Sequence, residues 1–394
     1  MKRKAWTRLG LLCCISGMVI YPPDVHANDF SGVSVSLADS GRMAASTSPE
    51  AWDGAASLPV LDEDELTVDW GEDGAVDKPH LKYEEYWLHE RPYRYARADV
   101  LMWHRVGTGC DRVLVVDQDV PVPGQDTLLS TGDLSFRYEP GVRLTLGTQR
   151  ESCGGWRWCD ALEATYLGVF DWNASGSVFG ENNLAASGVL GFIWNDGSGA
   201  DEFHADYQAE LHSIELNCVK SCCLDCCRQI DFLCGFRFLT LQEDFALTAV
   251  DFQEGTSAYT VSTENHLYGL QMGGRLRRHL GLWAAEFRGT AGLFVNDARQ
   301  RQQIRDFPND FPLRGPTRGS GQSAAMLSEL SFTLTRHITD RWSLRGGYDA
   351  LGIGGLALAP DQLDFNFDPD AGTGLHRSGW VFMHGAHAGL EARW

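Results

Sequence analysis

The residues of this sequence best suited to chemistry are six cysteines crowded into positions 218–234. Thiolates spaced as Cys222-x3-Cys226 or Cys223-x2-Cys226 can ligate zinc. If the chain is exported, as its N-terminus indicates below, an oxidising compartment favours disulfides instead. We therefore expect local disulfides in a turn near 218–229 and a pairing of Cys153 with Cys159 across a second turn, with zinc binding and free thiols as alternatives. The candidate disulfide cysteines are Cys153, Cys159, Cys218, Cys222, Cys223, Cys226 and Cys227.

Other patterns for catalysis or metal binding are incomplete. Asp368, Asp370 and Gly372 are similar to the start of a Ca²⁺ loop, but no glutamate follows at the required distance. The acidic stretch 62–77 is an alternative Ca²⁺ site. His89 and Glu90 lack the second histidine of a zinc protease, and no Gly-x-Ser-x-Gly elbow occurs. We therefore expect no enzyme, no cofactor and no metal site.

The composition indicates β-structure and excludes a nucleic-acid partner. Lys and Arg number 33 against 53 Asp and Glu, a net charge of −20, whereas phosphate binding requires a basic surface. The chain also holds 43 glycines, 13 tryptophans, 11 tyrosines and 19 phenylalanines. Aromatic residues favour strands and glycines favour tight turns, so these numbers indicate an all-β protein.

The N-terminus has the features of an export signal. Lys2, Arg3, Lys4 and Arg8 precede an apolar stretch at 9–20 that is short for a membrane span. Small residues in the Val-His-Ala sequence 25–27 predict cleavage before Asn28. Residues 28–92 are strongly acidic and lack periodicity, which predicts a largely disordered periplasmic leader. We therefore expect a signal peptide at 1–27, this leader at 28–92 and one folded domain at 93–394.

From residue 94 onward, apolar and polar residues alternate with a period of two. A soluble sandwich also alternates, but its strands usually have about 5–6 residues, whereas a tilted membrane strand needs about 9–11. The connections between the predicted strands are alternately long and short, as in outer-membrane barrels. We therefore predict an all-β, transmembrane antiparallel β-barrel of about ten strands (range 8–14), with long extracellular loops and short periplasmic turns. The strands are expected near 94–104, 134–148, 157–172, 202–217, 230–243, 262–276, 282–297, 323–337, 341–356 and 379–394.

The last predicted strand ends on an aromatic residue. Trp380, Phe382, Leu390 and Trp394 lie on one face of this strand. A terminal amphipathic strand that closes on Phe or Trp is similar to the signal that the barrel assembly machinery recognises. An edge strand this apolar would promote aggregation in water, whereas in a closed barrel it pairs with the first strand.

The parity of the alternation predicts which charged side chains face the lumen. Arginines and acids nearly balance there, whereas a selective pore concentrates one sign of charge at its constriction. A barrel near eight strands is filled by its own side chains, and open aqueous pores need about sixteen strands. We therefore expect a narrow or occluded lumen. The predicted lumen-lining residues are Arg97, Asp99, Arg137, Glu139, Arg143, Glu163, Asp206, Glu210, Arg237, Glu286, Arg288, Glu329, Arg345, Asp349, Glu391 and Arg393.

The expected partners are lipid and surface polymers. Barrel insertion implies contact with outer-membrane lipid and the assembly machinery. The predicted loop at 298–322 carries an excess of arginine, so lipopolysaccharide or another anionic surface polymer is its candidate partner, with a plain solvated loop as the alternative. The arginines of this loop are Arg299, Arg301, Arg305, Arg314 and Arg318.

Several stretches resemble a known family. Residues 128–146 (LLSTGDLSFRYEPGVRLTL), 162–177 (LEATYLGVFDWNASGS) and 344–365 (LRGGYDALGIGGLALAPDQLDF) are similar to the putative beta-barrel porin type-seven family, known chiefly from planctomycete outer membranes. The resemblance implies an outer-membrane barrel over roughly 94–394, and the family's name implies a pore.

Taken together, these features predict a porin-like outer-membrane barrel, with passive passage of small solutes or a largely occluded structural role. The alternatives are an adhesion barrel whose loops bind surface partners and a secreted, soluble β-rich protein that binds glycans.

Overall fold

The computed structural model describes residues 92–119, 126–149, 159–224, 227–253, 255–307 and 311–394. The predicted signal peptide and all but the last residue of the acidic leader lie outside these ranges, as do Cys153 and Cys226. Within the described ranges, no helix has the length and apolar character needed to cross a membrane.

The described chain is almost entirely antiparallel β-sheet. Its elements are β1 (Tyr93–Val106), β2 (Val113–Asp117), β3 (Thr127–Ser130), β4 (Tyr138–Gln149), β5 (Ala161–Ala186), α1 (Leu190–Ile193), β6 (Ser198–Cys223), β7 (Arg228–Asp251), β8 (Gly255–Leu280), β9 (Trp283–Phe307), β10 (Phe311–His337), β11 (Trp342–Leu356) and β12 (Gly379–Arg393).

Ten of these strands close into a ring. β1 pairs with β12 on one side and with β4 on the other, and β4 to β12 pair in chain order. The register of the closing pair places Tyr95 opposite Arg393 and Val106 opposite Phe382. β2 and β3 form a short hairpin on the last residues of β5. The predicted antiparallel barrel of ten strands is confirmed.

The central strands are much longer than predicted. β5–β6, β7–β8 and β9–β10 continue as paired hairpins through three of the predicted long connections, including 298–322. Among the described residues, the predicted long connections that stay outside the ring strands are those at 107–119 with 126–137 and at 357–378. The alternation persists in the hairpins. In β6 and β7 its sense is reversed, with apolar side chains such as Phe203 and Leu247 inward and polar ones such as Gln208 outward, whereas β9 keeps Gln300 and Gln302 inside.

We call the end of the barrel that holds Tyr93, Arg393 and the turns at 281–282 and 338–341 the proximal end. The distal end holds residues 187–197 and 357–378. The proximal turn between β8 and β9 contains only Gly281 and Leu282, and Gly281 has φ +63°, a conformation that glycine adopts without strain.

An apolar belt surrounds the proximal half. Its side chains point outward and are exposed, as expected for a surface in contact with lipid hydrocarbon. Trp283, Trp342 and Trp394 lie at its proximal edge, and Tyr138, Tyr348 and Trp380 at its distal edge, which matches the aromatic girdles of membrane barrels. The belt comprises Val100, Leu144, Leu146, Leu162, Ile214, Leu216, Phe232, Phe236, Leu270, Met272, Phe287, Leu293, Met326, Leu330, Phe332, Leu344 and Leu390.

Candidate functional site: the lumen

The proximal half of the lumen is filled by a network of ion pairs. At its centre lies Arg237, which is fully buried. Its Nη1 lies 2.7 Å from an Oε of Glu329 and 3.2 Å from an Oε of Glu215. Glu329 also lies 3.5 Å from Arg143, whose other terminal nitrogen is 3.1 Å from Asp349. Carboxylates from three strands are thus held between two guanidinium groups.

A second cluster lies against the first. Arg275 donates two hydrogen bonds to Glu163, at 2.9 and 2.6 Å, in a bidentate arrangement. The same guanidinium approaches Asp231 at 3.5 Å and Glu286 at 3.6 Å, and Arg277 pairs with Glu286 at 3.0 Å. These pairs connect β5 to β7, β8 and β9 through the interior, so they hold opposite walls of the barrel together.

At the proximal mouth, Glu391 accepts hydrogen bonds of 2.6 Å from both Arg97 and Arg393. Arg345 lies 3.5 Å from Asp99. The space between these groups measures only ≈ 10 Å³, which is about the volume that one water molecule needs. Each of these buried charges thus has a partner of opposite sign, as burial of a charge requires.

The distal half contains an apolar core. Aromatic side chains are buried there, and residues of the two distal connections, among them Leu190 and Leu358, belong to the same core. Side chains from β1, β5, β6 and β7 and from the two connections thus fill the space between the walls, as in a soluble protein core. The buried aromatic residues include Trp103, Phe136, Trp172, Trp194, Phe203, Tyr207, Phe245 and Tyr259.

Buried polar groups hold the connection 357–378 inside the distal half. Arg105 donates to the Tyr207 hydroxyl at 2.8 Å and pairs with Glu243, whose second oxygen accepts from the Ala359 amide at 2.7 Å. Asn265 donates to the Ala357 carbonyl and accepts from the Ala357 amide, both at 2.8 Å. The connection is therefore fixed by its backbone to β7 and β8.

Asp364 organises the outer part of the same connection. Its carboxylate accepts hydrogen bonds of 3.0 Å from the amides of Asn366 and Gly372, and Arg314 donates to its carbonyl at 2.8 Å. Partial burial raises the pKa of this carboxyl group, but the two amides and the Arg314 charge lower it more, so the pKa lies below its usual value. A recess of ≈ 230 Å³ lies beside it, and no member of the proximal network lines this recess.

Most of the charged residues that the sequence placed in the lumen meet in the proximal network. The exceptions lie at the distal end. Asp206 and Glu210 are on the outer wall, because the inward positions of β6 are apolar there. Arg137 precedes β4 and is exposed. Glu139 is half-buried and is the second residue of β4. The residues brought together are Arg97, Asp99, Arg143, Glu163, Arg237, Glu286, Arg288, Glu329, Arg345, Asp349, Glu391 and Arg393.

Several members of the interior were not predicted. Arg105 and Arg277 lie just beyond the predicted strand ends at 104 and 276, and both continue the inward parity of their strands. Glu215 lies between Ile214 and Leu216, which belong to the apolar belt. Because side chains alternate along a strand, their outward direction indicates that Glu215 faces the lumen. The members missed are Arg105, Glu215, Asp231, Glu243, Arg275 and Arg277.

The disulfide differs from the predicted pairing. Cys159 is bonded to Cys218 of β6, with the two Cα atoms 5.6 Å apart, so the bridge joins neighbouring strands and not the two ends of one turn. Cys223 is also disulfide-bonded. Cys222 is a free thiol that points outward, because β6 places it on the opposite face from the inward Ser221. The Cys227 carbonyl accepts a hydrogen bond from the His279 amide.

The terminal strand is in the predicted place. Trp380, Leu390 and Trp394 point outward and are exposed. The backbone of Trp394 forms two hydrogen bonds with Arg94, at 2.9 and 3.0 Å, so the last residue is part of the closing β1–β12 pair.

The geometry agrees with a comparison to known families. The model of the family described as Putative beta barrel porin-7 (BBP7) matches residues 181–306, from the end of β5 to the end of β9. The resemblance to this family is confirmed. Together with the closed ring and the apolar belt, it supports an outer-membrane β-barrel protein. No curated protein matches the chain.

Solved structures of outer-membrane proteins are similar to this chain at low identity. The outer membrane protease OmpT from Escherichia coli is 9% identical, with a TM-score of 0.40 over 78% of this chain and 98% of that one. A major outer membrane protein from Thermus thermophilus is 11% identical, with a TM-score of 0.31 over 77% and 99%. A Pseudomonas aeruginosa FadL homologue is 6% identical, with a TM-score of 0.23 over 77% and 90%.

Proposed function

We propose that this protein is a closed structural barrel of the outer membrane, with a distal half that projects outward as a rigid platform for surface partners. In this orientation both chain ends lie on the periplasmic side, as is usual for bacterial barrels. The polar outer wall of the distal half, with Gln208 and Asp244 among its exposed residues, supports an aqueous surrounding. The proposal includes no catalytic role.

The observation that carries the proposal is the distal core. Passage of a solute requires a continuous polar path, and the buried aromatic residues close the lumen above the ion-pair network. Two barriers of different chemistry are therefore in series. A change that loosens one of them leaves the other in place.

Porin-like passage of small solutes is the second candidate, and the description of the matched family favours it. Passage would require the connection 357–378 to leave the lumen. That movement would break the hydrogen bonds of Ala357 and Ala359 to Asn265 and Glu243 and would expose Leu358.

Conductance in planar lipid bilayers tests the proposal. We expect no steady current from the full mature chain at neutral pH. We also expect none from Arg143→Ala, because the distal core remains closed when the proximal network is weakened. A triple variant, Arg143→Ala with Glu243→Gln and Asn265→Ala, loosens both barriers and is expected to produce brief openings. Large, stable steps from the unmodified protein would overturn the closed barrel and support the porin.

A further inference from the structure

Four arginines form a patch on the outer wall of the distal half. Arg299 and Arg301 lie on β9, Arg318 lies on β10, and Arg377 follows the distal connection; all four are exposed. Arg301 and Arg318 are direct cross-strand partners. Arg377 donates a hydrogen bond to the Gln322 carbonyl, which brings it against β10 beside the others. We call these four residues the arginine patch.

The patch is not neutralised by the protein. Like charges directly opposite each other on a sheet are destabilising, and within the described residues neither Arg301 nor Arg318 makes an ion pair with a carboxylate. Arg299 lies 3.4 Å from Asp297, and Glu264 is its cross-strand partner on β8. Two acids against four arginines leave an excess of positive charge that an external anion can relieve.

The height of the patch relates it to the membrane surface. The apolar belt ends at Leu293 on β9 and at Met326 on β10, and the exposed Val295 extends the apolar surface by two more residues on β9. A strand rises about 3.3 Å per residue and is tilted by about 40°, so Arg299 and Arg301 lie roughly 10–15 Å beyond this apolar surface. Arginine side chains extend several ångströms and can reach back toward the headgroups. The patch is therefore at the level of lipid phosphates and the first sugars attached to them.

We infer that the arginine patch binds the phosphate groups of an anionic glycolipid in the leaflet on the distal side. Guanidinium groups match phosphate geometry with two parallel hydrogen bonds. The wall formed by β6 and β7 carries Asp206, Glu210 and Asp244 instead, so the glycolipid binds on one side of the barrel. This inference rests on the proposed orientation, and it holds whether the lumen is closed or open.

The test compares two triple variants in detergent micelles. The first, Arg299→Gln with Arg301→Gln and Arg318→Gln, removes three charges of the patch. The second, Arg278→Gln with Arg336→Gln and Arg341→Gln, removes three exposed charges at the proximal ends of β8 and β10 and in the turn after β10. Heat-modifiable gel mobility verifies that both fold. Binding is measured by native mass spectrometry during titration with purified lipid A.

We expect the patch variant to lose at least tenfold in lipid A affinity and the proximal variant less than twofold. Without lipid, the patch variant should be as thermostable as the wild type, because its cross-strand repulsion is removed, but it should lose the increase in Tm that lipid A gives the wild type. Equal losses in both variants would overturn the inference.

Two further arms identify the occupant. A soluble phosphorylated oligosaccharide without acyl chains is expected to bind at least tenfold more weakly than lipid A. Equal binding of the two would replace the glycolipid with a surface polymer. Sedimentation of the wild type as a dimer that the patch variant loses would assign the patch to a second copy of this chain. Lipid binding and conductance are measured separately. The inference about the arginine patch can therefore fail while the closed barrel holds, and the reverse.

Discussion

Strand β6 has opposite polarity in its two halves. Toward the proximal end, Leu216 points outward while Glu215 and Asn217 point into the lumen. Eight residues further toward the distal end, Gln208 points outward and Tyr207 inward. The backbone parity does not change between them, because all the inward residues have odd numbers. Toward the distal end, the outward face changes from apolar to polar. The inward face changes from polar to apolar at the same height.

In the proposed orientation, one closed sheet serves in two solvents. In lipid, the outer face must be apolar, and charged side chains are acceptable inside because they are paired. In water, the outer face becomes polar and the interior can form an ordinary apolar core. Neither half is hollow. The proximal half depends on ion pairs and the distal half on packing, so they should respond differently to the same kind of substitution.

The largest effect is expected inside the proximal half. Arg237→Ala leaves Glu215 and Glu329 buried without their shared cation, which should cost about 3–5 kcal/mol and reduce the yield of folded barrel. Urea unfolding in lipid vesicles measures the cost, with the exposed Arg318→Ala as the control. A loss below about 1 kcal/mol would mean that the network does not support the fold.

Arginine substitutions on the outer face of β6 compare the two surroundings directly. Leu216→Arg places a charge in the apolar belt and should cost about 2–4 kcal/mol. Gln208→Arg, on the same face of the same strand, should change stability by less than about 0.5 kcal/mol. Both are measured by the same unfolding experiment. Equal costs at the two positions would contradict the division of the wall.

A smaller effect is expected when one hydrogen bond inside the distal half is removed. Tyr207→Phe removes the hydroxyl that accepts from Arg105 but keeps the ring packed against Phe136 and Phe245. The expected loss is about 1–2 kcal/mol, because Glu243 still pairs with the guanidinium. Tyr207→Ala should cost about 3–5 kcal/mol, since it also creates a cavity. If both variants lost the same amount, packing would not be the main support of this half.

The smallest effect concerns pH. The pKa of Asp364 is lower in the folded protein than in an unfolded chain, so its contribution is present above the ordinary aspartate pKa of about 3.9 and is lost as the pH falls through the folded value. The connection 357–378 should therefore become more accessible to an acid-active protease such as pepsin below about pH 4. Asp364→Asn should be equally accessible at pH 5 and pH 3.

The proximal half was predictable from sequence because lipid imposes a simple rule. Every strand that contributes to the belt has apolar residues at alternate positions. This pattern defined the ten strands and assigned residues such as Glu163 and Asp349 to the inward face. In the distal half of β6 the pattern is reversed, with polar residues outward and apolar residues inward. Asp206 and Glu210 were assigned to the lumen because the sequence does not mark where lipid gives way to water.

Two further features depend on three-dimensional information. A register shift between Val169 and Trp172 moves Trp172 to the inner face, although strict alternation places it outside. The disulfide joins residues 59 positions apart, so spacing along the chain does not indicate the pairing of Cys159 with Cys218. The stretch 298–322 resembled a loop because its polar residues are frequent, yet its inward Gln300 and Gln302 are hydrogen-bonded to the connection 357–378.

The most direct test follows the outer face of β6 with an environment-sensitive fluorescent amino acid, introduced singly by codon suppression at 216, 214, 212, 210, 208 and 206. In vesicles we expect blue-shifted emission at Ile214 and Leu216, aqueous emission at Gln208 and Asp206, and the change between Ile214 and Glu210. Blue-shifted emission along the whole series would place the distal half in lipid, and aqueous emission throughout would remove the apolar belt from the membrane. Either result would contradict the division of the barrel into a lipid-facing and a water-facing half.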